Sequence, residues 1–170
     1  LTRNSVVSED NTAKTRVAFN FIKEVDKDKG IYQQGVAGVY AIDLTFKTDF
    51  TVPTGNTGRC DLYLSNSIDN ASGNTTNNFR MVPKDKQFTK VESTTYKFSN
   101  KFSNEYTTYR IVVDTINDKM YGYDLKNGNF TFTWEGTYTL DTIASFTVAF
   151  RDKQLAEGSY IHFKDIAVYE

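Results

Sequence analysis

The sequence predicts an all-β protein built as an antiparallel two-sheet β-sandwich with little or no helix, and three observations support this. Aromatic residues make up 15% of the chain, and with the many threonines and valines they favour strands. Roughly ten to thirteen short segments alternate apolar and polar residues with the period of a half-buried strand. Turn formers separate these segments, and none has a convincing helical pattern. Long strands at 39–50 and 143–151 favour a sandwich over a closed barrel.

The N-terminal part of the chain contains the clearest strand pattern. Residues 1–15 are polar and are expected to form an irregular lead-in or a short edge strand. Alternating apolar residues predict a strand at 16–23, and the charged segment 24–30 that follows predicts a turn. After a short strand at 31–34, the segment 39–50 alternates most regularly. It predicts a long strand with one buried face and one solvated face.

Shorter strands are expected in the middle of the chain, at 59–65, 79–82, 88–91 and 94–98. In the first of these strands, Cys60, Leu62 and Leu64 share the inward face. The segment 66–78 is rich in Asn, Ser, Thr and Gly and has almost no hydrophobic residue. It predicts an exposed loop of a length that is often functional.

A hairpin between Tyr109 and Gly128 is the best-defined unit of the second half. Two apolar runs flank Asn117-Asp118, residues that tolerate a left-handed backbone and form turns. The next strand, 129–134, carries Phe130, Phe132 and Trp134 at a spacing of two.

The chain ends in two further predicted strands, at 143–151 and 160–169, joined by a segment at 152–158 that is expected to form one helical turn. The apolar positions of the last strand slip by one residue at Lys164-Asp165. Such a slip indicates a β-bulge.

Length, charge and rare residues restrict the function classes. A chain of 170 residues suits one domain. With 20 basic and 21 acidic residues, the net charge of −1 argues against a general nucleic-acid binder. No apolar run reaches the roughly 18 to 20 residues that cross a bilayer. The single cysteine, Cys60, excludes an intramolecular disulfide and is expected to be a small core residue, and one Cys with one His, His162, cannot build the usual zinc sites.

The order of the sequence motifs resembles a known family. A GVYAIDLTFKTDF strand comes first, followed by LYLSNS, NFRMV, a YRIVVD strand leading into YGYDLKNG, and a closing IHFKDIAVYE. Over about residues 16–170, this order resembles the concanavalin A-like lectin/glucanase β-jelly roll, particularly the accessory carbohydrate-binding modules of bacterial glycoside hydrolases and polysaccharide lyases. The YDLKNG hairpin departs from a shorter form that is common there. The resemblance implies a curved sheet with sugar bound on its concave face or by the loops at its rim.

The same resemblance implies a role. Such a module is non-catalytic, requires no cofactor, and holds polysaccharide near a covalently linked catalytic or surface domain of a secreted or cell-surface protein. In related jelly rolls an acidic residue in the final strand often contributes to a structural calcium site, and Asp165 is the matching position. Oxygen ligands of this kind suit calcium.

Sugar binding needs aromatic faces for stacking and polar groups that pair with hydroxyls. Trp134 is the best stacking candidate because it lies where a strand meets a loop, although its spacing from the preceding phenylalanines also suits a core position. A ligand face is predicted if the 59–65 and 79–82 strands are neighbours, with the outward residues Arg59, Asp61, Tyr63, Asn78 and Arg80. Further choices are Tyr32 with Gln33 and Tyr121 with Tyr123.

Two other classes of function are open. A jelly-roll glycosidase would use an acidic triplet on one strand, for which Glu24 and Asp26 are candidates, but a solvated turn is the favoured interpretation of this segment because no apolar residues hold it in a strand. A lyase would use the KGIYQQG segment, which faintly resembles the tyrosine-bearing strand of jelly-roll alginate lyases. Those enzymes add an arginine-rich strand and a Gln-x-His segment, and this chain has neither.

The second alternative to a carbohydrate-binding module, besides an enzyme, is a structural or adhesive surface module with a protein ligand.

Overall fold

The computed structural model describes residues 14–20, 22–26, 28–29, 31–35, 37–66, 77–91, 95–151 and 155–170. Within these ranges the chain forms thirteen strands and no helix. The strands are β1 (Lys14–Asn20), β2 (Ile22–Asp26), β3 (Ile31–Gln34), β4 (Val39–Asp49), β5 (Cys60–Ser65), β6 (Asn77–Val82), β7 (Gln87–Val91), β8 (Tyr96–Lys101), β9 (Thr107–Asp114), β10 (Lys119–Lys126), β11 (Asn129–Thr137), β12 (Ser145–Arg151) and β13 (Tyr160–Tyr169).

Two antiparallel sheets form the layers of a sandwich. One has six strands in the order β1-β12-β5-β6-β7-β8, and the other has five in the order β11-β10-β9-β4-β13. A separate two-stranded ribbon pairs β2 with β3. Strands far apart in the chain are neighbours in both layers, as β1 with β12 and β4 with β13. The predicted all-β, two-sheet β-sandwich is therefore confirmed.

A core of aromatic rings joins the two sheets. Phe88 of β7 stacks on Phe98 of β8, with 4.8 Å between ring centroids, and meets Tyr109 of β9 edge-on at 5.0 Å. Phe46 of β4 approaches the same Phe88 ring edge-on at 6.0 Å. All four rings are buried. Their packing stabilises the sandwich by removing apolar surface from water and by favourable ring geometry.

Strand β4 confirms the clearest pattern in the sequence. Side chains at alternate positions point into the core, and those between them are half-buried. The inward set is Tyr40, Ile42, Leu44, Phe46 and Thr48. This strand lies inside the five-stranded sheet between β9 and β13, so both of its edges are paired.

The predicted hairpin is present as the antiparallel pair β9 and β10. Asp114 closes it, because its Oδ1 accepts hydrogen bonds from the backbone N–H groups of Ile116 and Asn117, each at 3.0 Å. Asn117 Nδ2 donates to Asp114 Oδ2 at 2.8 Å. Asp118 has the left-handed φ of 55° that the turn requires. These hydrogen bonds, with the side chain of Asn117 contributing most, hold the pKa of Asp114 below its usual range.

We expect Asp114→Ala to lower the free energy of unfolding at neutral pH and to make little difference in acid. A carboxylate with a depressed folded-state pKa stabilises the fold above its unfolded pKa, and this contribution is lost as pH falls through the folded pKa. Urea unfolding of both proteins at several pH values measures the difference. Asn117→Ala removes the leading partner and should give the same trend. A pH-independent difference would show that the hairpin does not depend on the charge of Asp114.

The phase slip predicted in the last strand is also confirmed. Pairing between β13 and β4 shifts its register between Phe163 and Asp165, so one residue of β13 has no opposite partner. The extra residue shifts the alternation by one, so Phe163 before the bulge and Ile166 after it are both opposite core-facing residues of β4, Phe46 and Leu44.

The N-terminal strand prediction needs correction. The segment 16–23 is not one strand, because β1 pairs with β12 in the six-stranded sheet and β2 pairs with β3 in the ribbon. Strand β2 continues to Asp26, so the predicted turn at 24–30 is partly strand, and the described turn residues are 28 and 29. The distant partner β12 separates β1 from β2, and the pairing of β2 with the neighbouring β3 overrides the local charge pattern.

Several predicted segments fall partly outside the described residues. These parts are 1–13 of the lead-in, 21 of the 16–23 strand, 27 and 30 of the predicted turn, 67–76 of the exposed loop, 94 of the 94–98 strand and 152–154 of the expected helical turn. The described remainder of the last segment is a turn, in which Ser159 N donates to Ala156 O at 3.2 Å, and not a helix. Across the ranges that the structure describes, no helix is long and apolar enough to cross a membrane.

Candidate functional site

The two strands that carry most of the predicted ligand face are neighbours. β5 and β6 pair antiparallel, with Asp61 opposite Arg80 and Tyr63 opposite Asn78. All four residues have the parity opposite to the core-facing Cys60, Leu62, Phe79 and Met81, so they lie on the outer face of the six-stranded sheet. The condition on which the predicted face depended is met.

A buried carboxylate organises this face. Asp61 has no exposed surface, and its Oδ1 accepts hydrogen bonds from Arg59 Nε at 2.7 Å and from Arg80 Nε at 3.4 Å. Its Oδ2 accepts one from the hydroxyl of Tyr63 at 3.0 Å. These contacts compensate the cost of burying the charge. We call Arg59, Asp61, Tyr63 and Arg80 the Asp61 cluster.

The two arginines of the Asp61 cluster keep donors available. Both side chains are 30% exposed, and among the described residues their hydrogen bonds use only Nε. A guanidinium has five N–H donors in a fixed plane, so the terminal Nη groups of Arg59 and Arg80 can bind a further acceptor. Asn78, next to Tyr63 in register, adds a buried Oδ1 without a hydrogen-bond partner in the described part of the chain.

An open groove begins at Arg80 and crosses β6, β7 and β8 on the same outer face. Its volume is about 650 Å³. Its polar lining comprises Arg80, Asp85, Gln87, Thr89, Thr95, Lys97 and Lys101. Thr89 Oγ1 donates to the backbone oxygen of Arg80 at 3.2 Å, and Lys101 Nζ donates to that of Asp85 at 3.1 Å. We call this feature the β6–β8 groove.

Trp134 does not face a ligand, which corrects the prediction that it offers a stacking surface. Its side chain is 4% exposed and belongs to the core, where it packs against Tyr96 at 6.0 Å and Phe98 at 5.3 Å between ring centroids. The structure supports the alternative interpretation, that Trp134 occupies an ordinary core position.

The reason is a shift in register that the spacing of two conceals. In the pairing of β10 with β11, Gly122 is opposite Trp134 but Tyr123 is opposite Phe132, so Thr133 is an extra residue. Phe132 is consequently 54% exposed, whereas Trp134 points inward. The sequence does contain a signal for this, because an isolated glycine inside a strand, here Gly122, indicates a bulge or a close approach.

The shift creates an aromatic surface on the outer face of the five-stranded sheet, which we call the aromatic face. Arg110 lies in it, with its guanidinium 3.7 Å from the ring centre of Phe130 and 5.6 Å from that of Tyr169. Asp43 binds Arg110 through both carboxylate oxygens, at 2.6 and 2.8 Å, and this hydrogen bonding raises the pKa of Arg110. The aromatic face comprises Tyr121, Tyr123, Phe130, Phe132 and Tyr169. Of these, the sequence analysis selected only the two tyrosines of β10.

The remaining candidates lie on other strands than those that form the groove. His162, on β13 of the other sheet, is exposed, and its Nδ1 is 3.1 Å from the hydroxyl of Tyr106. Tyr32 and Gln33 lie on β3 in the ribbon. Register shifts between Glu24 and Asp26 in that ribbon, which interrupts the two-residue period that an alternating acidic triplet needs.

Cys60 and Asp165 are the residues for which the sequence predicted a core thiol and a calcium ligand. Cys60 is a free, buried cysteine, and burial, followed by the charge of Asp61, raises the pKa of its thiol. Asp165 is exposed on β13 opposite Thr45. In the part of the chain that the structure describes, no three His, Cys, Asp or Glu residues gather as a metal site would require, so calcium at Asp165 stays a prediction.

Similarity to known proteins lies in the fold. No protein-family model and no curated protein sequence matches the chain. Among solved structures, a sialidase matches with a TM-score of 0.61 at 9% identity over 92% of this chain. This chain spans only 14% of that sialidase.

Two further solved structures match over more of their own length. An alginate lyase from Pseudomonas aeruginosa has a TM-score of 0.53 at 11% identity, with 96% of this chain and 87% of the lyase covered. The exoplasmic/lumenal domain of VIP36, with bound Ca²⁺ and Man3GlcNAc, has a TM-score of 0.51 at 9% identity, with 81% and 70% covered. At such low identity these matches establish fold alone. The chain therefore shares the two-sheet jelly-roll β-sandwich fold of these structures, which supports the predicted resemblance to concanavalin A-like jelly rolls at the level of fold.

Proposed function

We propose that this protein is a non-catalytic carbohydrate-binding domain that binds a polysaccharide or oligosaccharide through the Asp61 cluster and the β6–β8 groove. The observation that carries the proposal is the pair of guanidiniums fixed by one buried carboxylate at the end of an open polar groove. Sugar hydroxyls are best bound by bidentate, pre-oriented donors of this kind. The fold is shared with a glycan-bound VIP36 domain and with alginate lyases, which is consistent with such a ligand.

The groove offers poor means for hydrolysis. Glycosidases need one carboxyl as acid and a second as nucleophile or base, both in reach of the glycosidic bond. Asp61 has no exposed surface, and both of its oxygens accept hydrogen bonds from the cluster. Among the residues that line the groove, Asp85 is the one acidic side chain. This composition suits binding better than bond cleavage.

Lyase chemistry is the second candidate function, because alginate lyases share the fold and Tyr63 lies beside two arginines. Elimination needs a general base that takes a proton from the sugar ring. The hydroxyl of Tyr63 donates its hydrogen bond to Asp61, and the residue is only 7% exposed, so it is poorly placed to reach a proton on a sugar ring. The chain's only histidine lies on the other sheet. A binding role therefore agrees better with the groove.

We further propose that the domain acts outside the cell, in a secreted or cell-surface protein, and holds polymer close to a covalently linked catalytic or surface domain. Tethering raises the effective concentration of substrate at the partner domain without any chemistry by the binding domain itself. Structural calcium at Asp165 belongs to the same proposal, and a comparison of thermal unfolding with and without chelator tests it.

Native affinity electrophoresis on a panel of neutral and acidic polysaccharides tests the proposed function. We expect at least one polymer to retard the wild-type protein, with no soluble oligosaccharide and no unsaturated product appearing over time. Arg80→Ala and Lys97→Ala should weaken the retardation, whereas Phe132→Ala, on the opposite sheet, should not. Thermal unfolding of each variant confirms that it is folded.

Three outcomes would oppose the proposal. Release of oligosaccharide would identify an enzyme, and an unsaturated product would identify the lyase. Loss of binding in Phe132→Ala with normal binding in the groove variants would move the site to the aromatic face. No retardation by any polymer would favour the structural or adhesive role.

A further inference from the structure

We infer that the Asp61 cluster and the β6–β8 groove select an acidic saccharide chain, with a ring carboxylate bound between Arg59 and Arg80. This inference rests on the proposed function and narrows its ligand from carbohydrate in general to sugars of the uronic-acid class. It follows from charge balance, from the orientation of the guanidiniums and from the extent of the groove.

Charge balance at the Asp61 cluster leaves a positive excess. Two guanidiniums share the single carboxylate of Asp61, so the described members of the cluster carry two positive charges against one negative charge. The lining of the groove adds Lys97 and Lys101 against Asp85. Together these groups hold four positive and two negative charges, a local balance of +2 in a chain whose net charge is −1. An anionic ligand is attracted to this part of the surface.

The orientation of the guanidiniums suits a planar carboxylate better than a neutral hydroxyl. Asp61 engages Arg59 and Arg80 through Nε, at 2.7 and 3.4 Å, and so fixes the plane of each side chain. Their Nη groups make no hydrogen bond within the described residues. A planar carboxylate matches the paired N–H groups of a guanidinium, and such charge-assisted bonds are stronger than those to neutral hydroxyls. Asp61 acts here as a positioning residue.

The extent of the groove favours a chain over a single sugar. Lys97 and Lys101 both line it, four residues apart on β8, which is roughly 13 Å along a strand. Both lysines are exposed. A polymer with a carboxylate on successive rings can contact these cations and the arginines at once, whereas a monosaccharide cannot reach both ends.

Isothermal titration with matched oligosaccharides tests this inference. The probes are a polyuronate oligomer, the same oligomer with its carboxyls reduced to alcohols, and a sulfated neutral oligomer of equal length and charge. We expect the uronate to bind at least tenfold more tightly than the reduced oligomer, and more tightly than the sulfated one. Its affinity should fall as sodium chloride is raised, because exposed charges are screened.

Variants distinguish bidentate hydrogen bonding by a guanidinium from attraction by its positive charge alone. Arg59→Lys and Arg80→Lys preserve the charge but not the paired donors, and each should weaken uronate binding about tenfold while changing binding of the reduced oligomer little. Lys97→Gln and Lys101→Gln, at exposed positions that are expected to tolerate change, should each weaken uronate binding and reduce its salt dependence. Lys164→Gln, an exposed lysine on β13, is the matched control and should bind as the wild type does.

The possible results distinguish this inference from the function on which it rests. Equal affinity for the uronate and its reduced form would overturn the inference and leave carbohydrate binding in place. Tighter binding of the sulfated oligomer would overturn the carboxylate assignment, as would full uronate affinity in both arginine-to-lysine variants. Failure of all three probes together with the wider polysaccharide panel would overturn the proposed function itself.

Discussion

Gly122→Ala is expected to lower the free energy of unfolding by about 3 kcal/mol or more, at the upper end of the cost of overpacking a core. A Cβ atom at this position would lie 2.1 Å from Cε2 and 2.3 Å from Nε1 of Trp134. The indole is rigid and is held by Tyr96, Phe79 and Phe98. It cannot move aside as the end of a flexible side chain could, so strand β10 or the core must shift.

Urea unfolding measures this loss, followed by the fluorescence of the chain's single tryptophan and by far-ultraviolet circular dichroism. The control is the double variant Gly122→Ala with Trp134→Phe, compared with Trp134→Phe alone. Because the smaller ring leaves room for the methyl group, the alanine should cost much less in that background. If Gly122→Ala is as stable as the wild type within about 0.5 kcal/mol, the inward position of Trp134 is wrong. Trp134 would then again be a candidate for stacking against a sugar ring.

Phe88→Ala is expected to cost about 3 to 5 kcal/mol, the usual range for removing a buried aromatic ring. Phe88 has no exposed surface and touches rings from both sheets, Phe98 and Phe79 in its own layer and Phe46 and Tyr109 in the other. Its truncation would leave a cavity between layers that strands paired on both sides cannot readily close.

Phe132→Ala is the matched control because it makes the same substitution at a phenylalanine that is 54% exposed. We expect it to change stability by no more than about 0.5 kcal/mol, as judged by chemical denaturation under identical conditions. Similar losses in the two variants would mean that the aromatic face is covered in solution. A loss below about 1 kcal/mol in Phe88→Ala would contradict the core described above.

The candidate site was predictable in part. Alternation along the chain correctly assigned Arg59, Asp61 and Arg80 to the side of their strands that faces away from the core. It could not establish that β5 and β6 are neighbours, because that depends on pairing across a long connection. It also could not show that Asp61 is completely buried, since burial on an outer face depends on what surrounds it.

The aromatic face was mostly missed for a related reason. A spacing of two assigns Phe130, Phe132 and Trp134 to one face only while the strand stays regular. The extra residue at Thr133 reverses the assignment after Phe132. Whether a strand contains a bulge is decided by its neighbour, here by the space that Gly122 leaves for the indole.

The amino-acid pattern by itself determined the fold class, the positions of most strands and the hairpin turn at Asn117-Asp118, because each depends on alternation or turn chemistry within a few residues. The order of strands in the two sheets, the inward position of Trp134 and the union of two arginines on Asp61 were decided only by the tertiary structure. These features arise from contacts between residues distant in the chain, and local sequence does not specify which strand becomes the neighbour or what space that neighbour leaves.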